Sequence, residues 1–406
     1  MPSFRKNFDY TALILYILLV LIGVVCIYTA STTKVGDVLT TSNFYLKQLL
    51  FFGVSFGVLM LIIYIPLPIL EAFYIPGYIF SLLLLVIVLF LPKINGSHRW
   101  FQLGGLSFQP SELAKLSMIL IISKALAKPY MPNGETLWKG FLLALMPITI
   151  ILIEPDFGTT VVFWVILLGM YAAAGIPFEY LMMIISPILS IFFAFNNVVF
   201  VIFILFMIIF VHKKGIAWPL NAVVSIMNLA IFFIIPIIWG GFKPYQQNRI
   251  LTFINPNHDP LGAGYQVIQA KIAIGSGGLY GKGFLLGTQK NMDFLPEKHT
   301  DFIFSVIGEE FGFWGAGLLL LIYAFFLTKL IKNIDKINIK DRKIASVGII
   351  SYLAFQFFVN IAMNLGIMPT TGVPLPLISY GGSNLLINTI AIALILKYRL
   401  EKSHLK

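Results

Sequence analysis

The chain has 406 residues, 59% of them hydrophobic and only 11% charged, and a formal net charge of +11. Ordinary soluble domains carry about 25% charged residues, so this composition and a mean hydropathy of +0.91 exclude a soluble globular or disordered protein and leave an all-α polytopic membrane protein. A net charge of +11 would suggest nucleic acid in a soluble chain, but here the positive-inside rule accounts for it and no nucleic-acid partner is expected.

Membrane spans need about 20 apolar residues, fewer where protein shields them. They are expected near 11–31, 46–66, 72–92, 112–127, 138–153, 158–175, 179–195, 197–211, 217–239, 303–328, 345–367 and 379–397, twelve transmembrane helices in all. The first run is too long for a signal-peptide core and lacks a small-residue cleavage site, so it stays as a span. Its Cys26 is the single cysteine, which excludes a disulfide framework. The stretch 179–211 has one polar interruption, Asn196-Asn197. A single helix there would be about 50 Å long, against a hydrocarbon core of about 30 Å, so two short spans fit better.

Charge supports that choice. With a cytoplasmic N-terminus, Arg5, Lys6, Lys124, Lys128, Lys139, Lys213, Lys214, the cluster Lys329 to Lys343 and the tail from Lys397 all fall inside. Both termini are then cytoplasmic. The whole of 1–406 reads as a single integral membrane domain, with 240–302 as a large extracytoplasmic loop.

In the outer loop 93–111, Arg99-Trp100 reads either as an interfacial aromatic with a snorkelling cation or as a headgroup or sugar contact. Pro110 suits the first position of the next helix, which sets Glu112 and Lys115 three apart on one face. They are either an ion pair locking two helices or functional intramembrane charges. Next, Glu154-Pro-Asp156-Phe-Gly-Thr159 places two carboxylates between spans. Capping explains Asp156 adequately and Glu154 less well.

The loop from Lys243 to Asp301 is polar and glycine-rich, and it carries Arg249, Lys271 and Lys282. Tyr265 to Ile274 is expected as an amphipathic helix with Val267, Ile268 and Ile272 on its apolar face. Gly275 to Gly283 looks superficially like a phosphate loop but fails the Walker pattern, because Lys282 precedes Gly283. Its backbone N–H groups, with Lys282, still suit a lipid-linked pyrophosphate. Asp301 stands where the loop re-enters the membrane, as an N-cap or a functional acid. Glu309-Glu310 follow about two turns later and must face a cavity or a cation. Met368 to Ser383 reads as a rigid Pro- and Gly-rich outer turn. No Ser/His/Asp order, His/Cys metal spacing or dinucleotide fingerprint stands out.

Arg99-Trp100, Gln109-Pro-Ser-Glu-Leu-Ala-Lys115, Glu154 to Thr159, Asn255 to Gln269, His299-Thr-Asp301-Phe-Ile-Phe304 with Gly308-Glu-Glu310, and Pro369 to Ser383 occur together and in this order. In these motifs the chain resembles the SEDS family of bacterial cell-wall glycosyltransferases, on its elongation rather than its division side. The resemblance implies a multi-pass protein of the bacterial cytoplasmic membrane that polymerises lipid II on the outer face. It implies a class B penicillin-binding protein as transpeptidase partner, among other elongation-complex membrane proteins. The family's ten-span core would carry an extra hairpin here within 179–216.

Under this resemblance Asp301 is the general base of an inverting transfer. Arg249, Lys271 and Lys282 meet the pyrophosphate, Glu112 and Lys115 position substrate, and Arg99, Trp100 and Glu309 complete the substrate-binding set. A divalent cation could assist although no ligand set is visible, and no other cofactor is expected. A lipid-precursor flippase and a non-catalytic scaffold of the cell-wall complex are the two rival classes.

Overall fold

The computed structural model describes residues 8–35, 38–92, 98–103, 106–127, 134–154, 156–214, 218–241, 247, 264–291 and 297–401. Among the described residues, fifteen helices and two short hairpins follow one another: α1 (Tyr10–Ser31), β1 (Thr32–Val35), β2 (Val38–Thr41), α2 (Phe44–Tyr64), α3 (Leu67–Ala72), α4 (Tyr74–Val88), β3 (Phe101–Leu103), β4 (Leu106–Phe108), α5 (Pro110–Ala127), α6 (Gly134–Ile153), α7 (Phe157–Ala174), α8 (Phe178–Phe193), α9 (Asn197–Lys213), α10 (Trp218–Gly241), α11 (Tyr265–Gly277), α12 (Thr288–Asn291), α13 (Ile303–Ile334), α14 (Lys340–Asn364) and α15 (Gly382–Leu400). Helices dominate because, without water, each backbone polar group must find its partner inside the segment.

Each of the twelve expected spans coincides with a helix. Among the described residues, eight helices are long and apolar enough to cross a membrane by length and composition, with α4, α8 and α9 shorter. The break at the Asn pair is real: the Asn196 side chain accepts from the N–H groups of Val198 and Val199 and so caps α9. Leu50, Phe90 and Ile237 point outward, as apolar side chains do when the surrounding solvent is lipid.

The core sits around α14 and α15. α15 is buried on nearly every side and packs against α2, while α14 packs against α5, α7 and α13. Beside the main core, α8 to α10 hold a small one of their own built from Met183, Phe203, Met207 and Val211, with an Asn228–Ser186 hydrogen bond of 3.0 Å and a Lys214–Glu179 ion pair of 2.9 Å. The start of α1 and the end of α15 meet in the Arg399–Asp9 ion pair, which puts both ends of the bundle on one side.

Residues 32–41 and 101–108 each form an antiparallel strand pair, with Thr33 opposite Thr40 and Gln102 opposite Ser107. Two expectations are corrected. On α11, Ile272 is exposed, whereas Ala270, Ala273 and Gly277 are buried. Small residues win that face because Gly277 packs directly on the Gly308 carbonyl, where a Cβ would have no room. Finally, α13 is interrupted at Gly312 (φ 63°, ψ −161°). The segment after α11 closes that break: the N–H groups of Lys282 and Gly283 donate to the carbonyls of Glu309 and Glu310 at 2.9 and 3.0 Å, and Phe313 N–H donates to Gly278 at 2.9 Å. The glycine run is thus backbone packing for a broken helix, and these two N–H groups are not open to a phosphate.

Candidate active site

Asp301 sits on the turn that leads into α13. The carbonyls of His299, Thr300 and Asp301 are tied to the C-terminal third of the chain. His299 accepts from Tyr380 N–H at 2.9 Å, and Thr300 accepts from Ser379 Oγ at 2.6 Å. The Asp301 carbonyl accepts from Asn360 and Asn364 at 2.9 and 3.0 Å. Those two asparagines are one helical turn apart on α14, so they present donors on one face. Asn360 also donates to Val373 at 2.9 Å, which fastens the 368–381 segment over the same turn.

With its backbone held, the Asp301 carboxylate has no capping duty. Phe302 occupies the N-cap of α13 and its side chain makes no capping bond. The Ser305 N–H, the donor a cap would meet, goes to Asn364 Oδ1 at 3.2 Å. The capping reading of Asp301 is therefore replaced by a cap supplied from α14. The partly buried carboxylate faces Gly372 (φ 68°), where an added Cβ would lie 3.5 Å from Oδ2. Burial raises it to about 7, and the charges of Glu297 and Asp156 add to the rise.

Asp156 stands at the start of α7. It caps α7 through Thr159 N–H at 3.1 Å and lies 3.5 Å from Arg99 Nε. Two residues on, Gly158 packs against the Thr371 carbonyl, so the start of α7 is seated on the Thr371-Gly372 turn. Glu154 is buried there. Burial lifts it to about 8, Asp156 adds to this, and Arg99 opposes it. Trp100 is partly buried beside Arg99.

The other sequence-predicted residues divide. Lys271, exposed on α11, runs its side chain over Gly366, two residues beyond Asn364, and forms no ion pair among the described residues. Lys282 is instead engaged: its Nζ lies 2.7 Å from Glu309 Oε1, which also accepts from the N–H groups of Thr288 and Gln289. Glu309 is fully buried and acts as the anchor of α12. Glu112 and Lys115 form a buried 3.0 Å ion pair, with Asn384 donating to Glu112 Oε2 at 3.1 Å and the Lys115 ammonium 4.8 Å from the Tyr352 ring centroid. Arg249 lies outside the described residues.

Sequence reasoning overlooked Asn360, Asn364 and Gly372, and left Glu154 unexplained. Two asparagines one turn apart in an apolar helix are the signal that would have found the first pair. Among the described residues no three His, Cys, Asp or Glu side chains come together as metal ligands.

A family model described as Cell cycle protein (FtsW, RodA, SpoVE) matches residues 10–200 and 195–404. The chain belongs to this family. The peptidoglycan glycosyltransferase RodA of Treponema pallidum (strain Nichols) is 32% identical over 432 residues, covering 96% of this chain and 97% of that protein. The peptidoglycan glycosyltransferase MrdB of Escherichia coli (strain K12) is 31% identical over 388 residues, covering 94% and 91%. Among solved structures, a chain of a peptidoglycan synthase complex that coordinates polymerization and crosslinking matches with a TM-score of 0.73 at 29% identity, 98% of each chain being covered. The rod shape determining protein RodA of Thermus thermophilus matches with a TM-score of 0.65 at 25% identity over the same share. The resemblance read from the motifs is borne out at the level of the family.

Proposed function

We propose that this chain is a peptidoglycan glycosyltransferase that polymerises lipid II on the outer face of the bacterial cytoplasmic membrane, with Asp301 as general base and both termini in the cytoplasm. The observation that carries the reading is the geometry at Asp301: the carbonyls of His299, Thr300 and Asp301 are held by residues 360–380 while the carboxyl stays out of capping, and burial with the nearby Glu297 and Asp156 charges pushes it up to about 7. A base works best with a pKa near the working pH. The names of the Treponema and Escherichia relatives supply the reaction.

In the step proposed, an acceptor sugar hydroxyl attacks the anomeric carbon of the donor glycan. The new C–O bond forms as the bond to the pyrophosphate oxygen breaks, and the hydroxyl proton passes to Asp301. Inversion follows from displacement on one face. Lys271 is the cation we assign to the departing lipid pyrophosphate, with Arg99 as a second. Glu112 and Lys115 act by locking α5 to α14 and α15 behind the site. Glu154, raised by burial, is the hydrogen-bond donor we assign beside Asp156.

The partner is a class B penicillin-binding protein, a reading supported by the synthase complex in which polymerization and crosslinking are coordinated. Purified full-length protein, mixed with its transpeptidase inactivated at the crosslinking serine, should convert lipid II into long glycan strands. Transfer of lipid II across proteoliposomes without polymer would favour the flippase reading, and neither product would favour the scaffold.

A further inference from the structure

At the end of the bundle where α1 begins and α15 finishes, a cavity of about 500 Å³ opens between α1, α13 and α15. Its volume falls within the range of small-ligand pockets, about 300–1,000 Å³. Two of its lining charges cancel. Asp9 caps α1 through Ala12 N–H at 3.1 Å and pairs with Arg399, which also donates to Asn333 Oδ1 at 2.5 Å. What is left on the wall is Lys329, Lys332 and Lys336 against Asp335 alone.

Lys329 and Lys332 are three apart on one face of the last turns of α13, and Lys336, in the turn just past its end, lines the same cavity. None of them makes an ion pair among the described residues. Complementing the helix dipole accounts for cations in the last turn only, and Lys329 lies above it. Tyr10, 48% exposed, lines the same cavity. An exposed tyrosine at the start of a spanning helix marks headgroup depth. Converging lysines beside an interfacial aromatic, with a recess between helices, are the features by which a basic pocket takes a phosphate headgroup.

We infer that this cavity binds a phosphate-bearing anion through Lys329, Lys332 and Lys336, supplied by an anionic membrane phospholipid. Its effect is to clamp the start of α1 to the ends of α13 and α15, far along α13 from the turn that carries Asp301.

The test uses full-length protein in neutral detergent, its unfolding temperature titrated with phosphatidylglycerol, phosphatidylcholine or soluble glycerol phosphate. Phosphatidylglycerol should raise the unfolding temperature of the wild type, and phosphatidylcholine should not. Lys329→Gln/Lys332→Gln should weaken phosphatidylglycerol binding about 25-fold, about fivefold for each lysine lost. The exposed control Lys213→Gln/Lys343→Gln should bind as the wild type does. Both variants should unfold at the wild-type temperature in phosphatidylcholine, which separates lost binding from lost folding. A shift with glycerol phosphate that the first variant loses also supports the site and makes its occupant a soluble phosphate. Equal phosphatidylglycerol affinity in that variant and the wild type, equal loss in the control, or no shift in the wild type would overturn the inference.

Discussion

Asn364 reaches from the end of α14 to the start of α13 and does two things there. Its Nδ2 donates to the Asp301 carbonyl at 3.0 Å and its Oδ1 accepts the Ser305 N–H at 3.2 Å. One side chain therefore fixes the candidate base and frees its carboxylate from capping. Asn364→Leu removes both bonds, leaving the Asp301 carbonyl to Asn360 alone and the Ser305 N–H to the Phe302 carbonyl, a loss of about 0.5–1.5 kcal/mol of stability per bond. Polymerisation should fall by more than the folded fraction does. Activity that tracks the folded fraction alone, measured by thermal unfolding and strand assays side by side, would make Asn364 a helix cap only.

The pH profile follows from the raised carboxyl. Asp301 accepts a proton only when ionised, so activity should climb as pH rises through about 7. Glu297 is the first of the two charges that add to the rise. Glu297→Gln should ease ionisation and move the acidic limb to lower pH. The sign for stability is opposite: the fold holds this proton up to about 7, the unfolded chain releases it near 3.8, and the group's contribution to stability declines between those values. An acidic limb unmoved by Glu297→Gln would detach the profile from Asp301.

The buried Glu112–Lys115 pair sits in an unsymmetrical cage. Asn384 offers N–H groups to position 112, and the Tyr352 ring offers its negative face to position 115. Exchanging the charges would set donor against donor and anion against ring, so the swapped pair should fail even in a purely structural role. A neutral replacement separates the roles. Glu112→Gln leaves a buried ammonium uncompensated and should cost about 3–5 kcal/mol, most of it regained in Glu112→Gln/Lys115→Met. Thermal unfolding reads this directly, and an unchanged midpoint in the single variant would rule out the lock.

Lys282 was a pyrophosphate candidate from sequence, yet it lies 2.7 Å from the buried Glu309. Lys282→Met should lower stability by about 1–3 kcal/mol and leave the KM for lipid II of the folded protein unchanged. A raised KM at unchanged stability would return Lys282 to the substrate.

Much of this architecture was legible because apolar length and polar breaks act locally. The Asn196-Asn197 break and Pro110 at the head of α5 both stand where local rules put them. Two hairpins were missed although Gly36-Asp37 and Gly104-Gly105 separate their strands in the sequence, a signal for tight turns. The interruption at Gly312 was not readable, since one glycine in an apolar run becomes a break only when residues 278–283 arrive to satisfy its backbone. Likewise Lys282 finds Glu309, and Asn360 finds Asp301, only through folding. Asp301 stood out from sequence by its place at the membrane boundary, but its environment came from segments more than fifty residues away.

The most direct test of the central claim is lipid II polymerisation by Asp301→Asn in complex with its transpeptidase. Asparagine keeps the shape of the side chain and leaves the carbonyl contacts to Asn360 and Asn364 in place, but it cannot take the proton. The variant should fold, insert and bind its partner, and its rate should fall by about 10²–10⁴-fold, the contribution of a positioned base. A rate above about a tenth of wild type, well short of that loss, would contradict the assignment of Asp301 as the base.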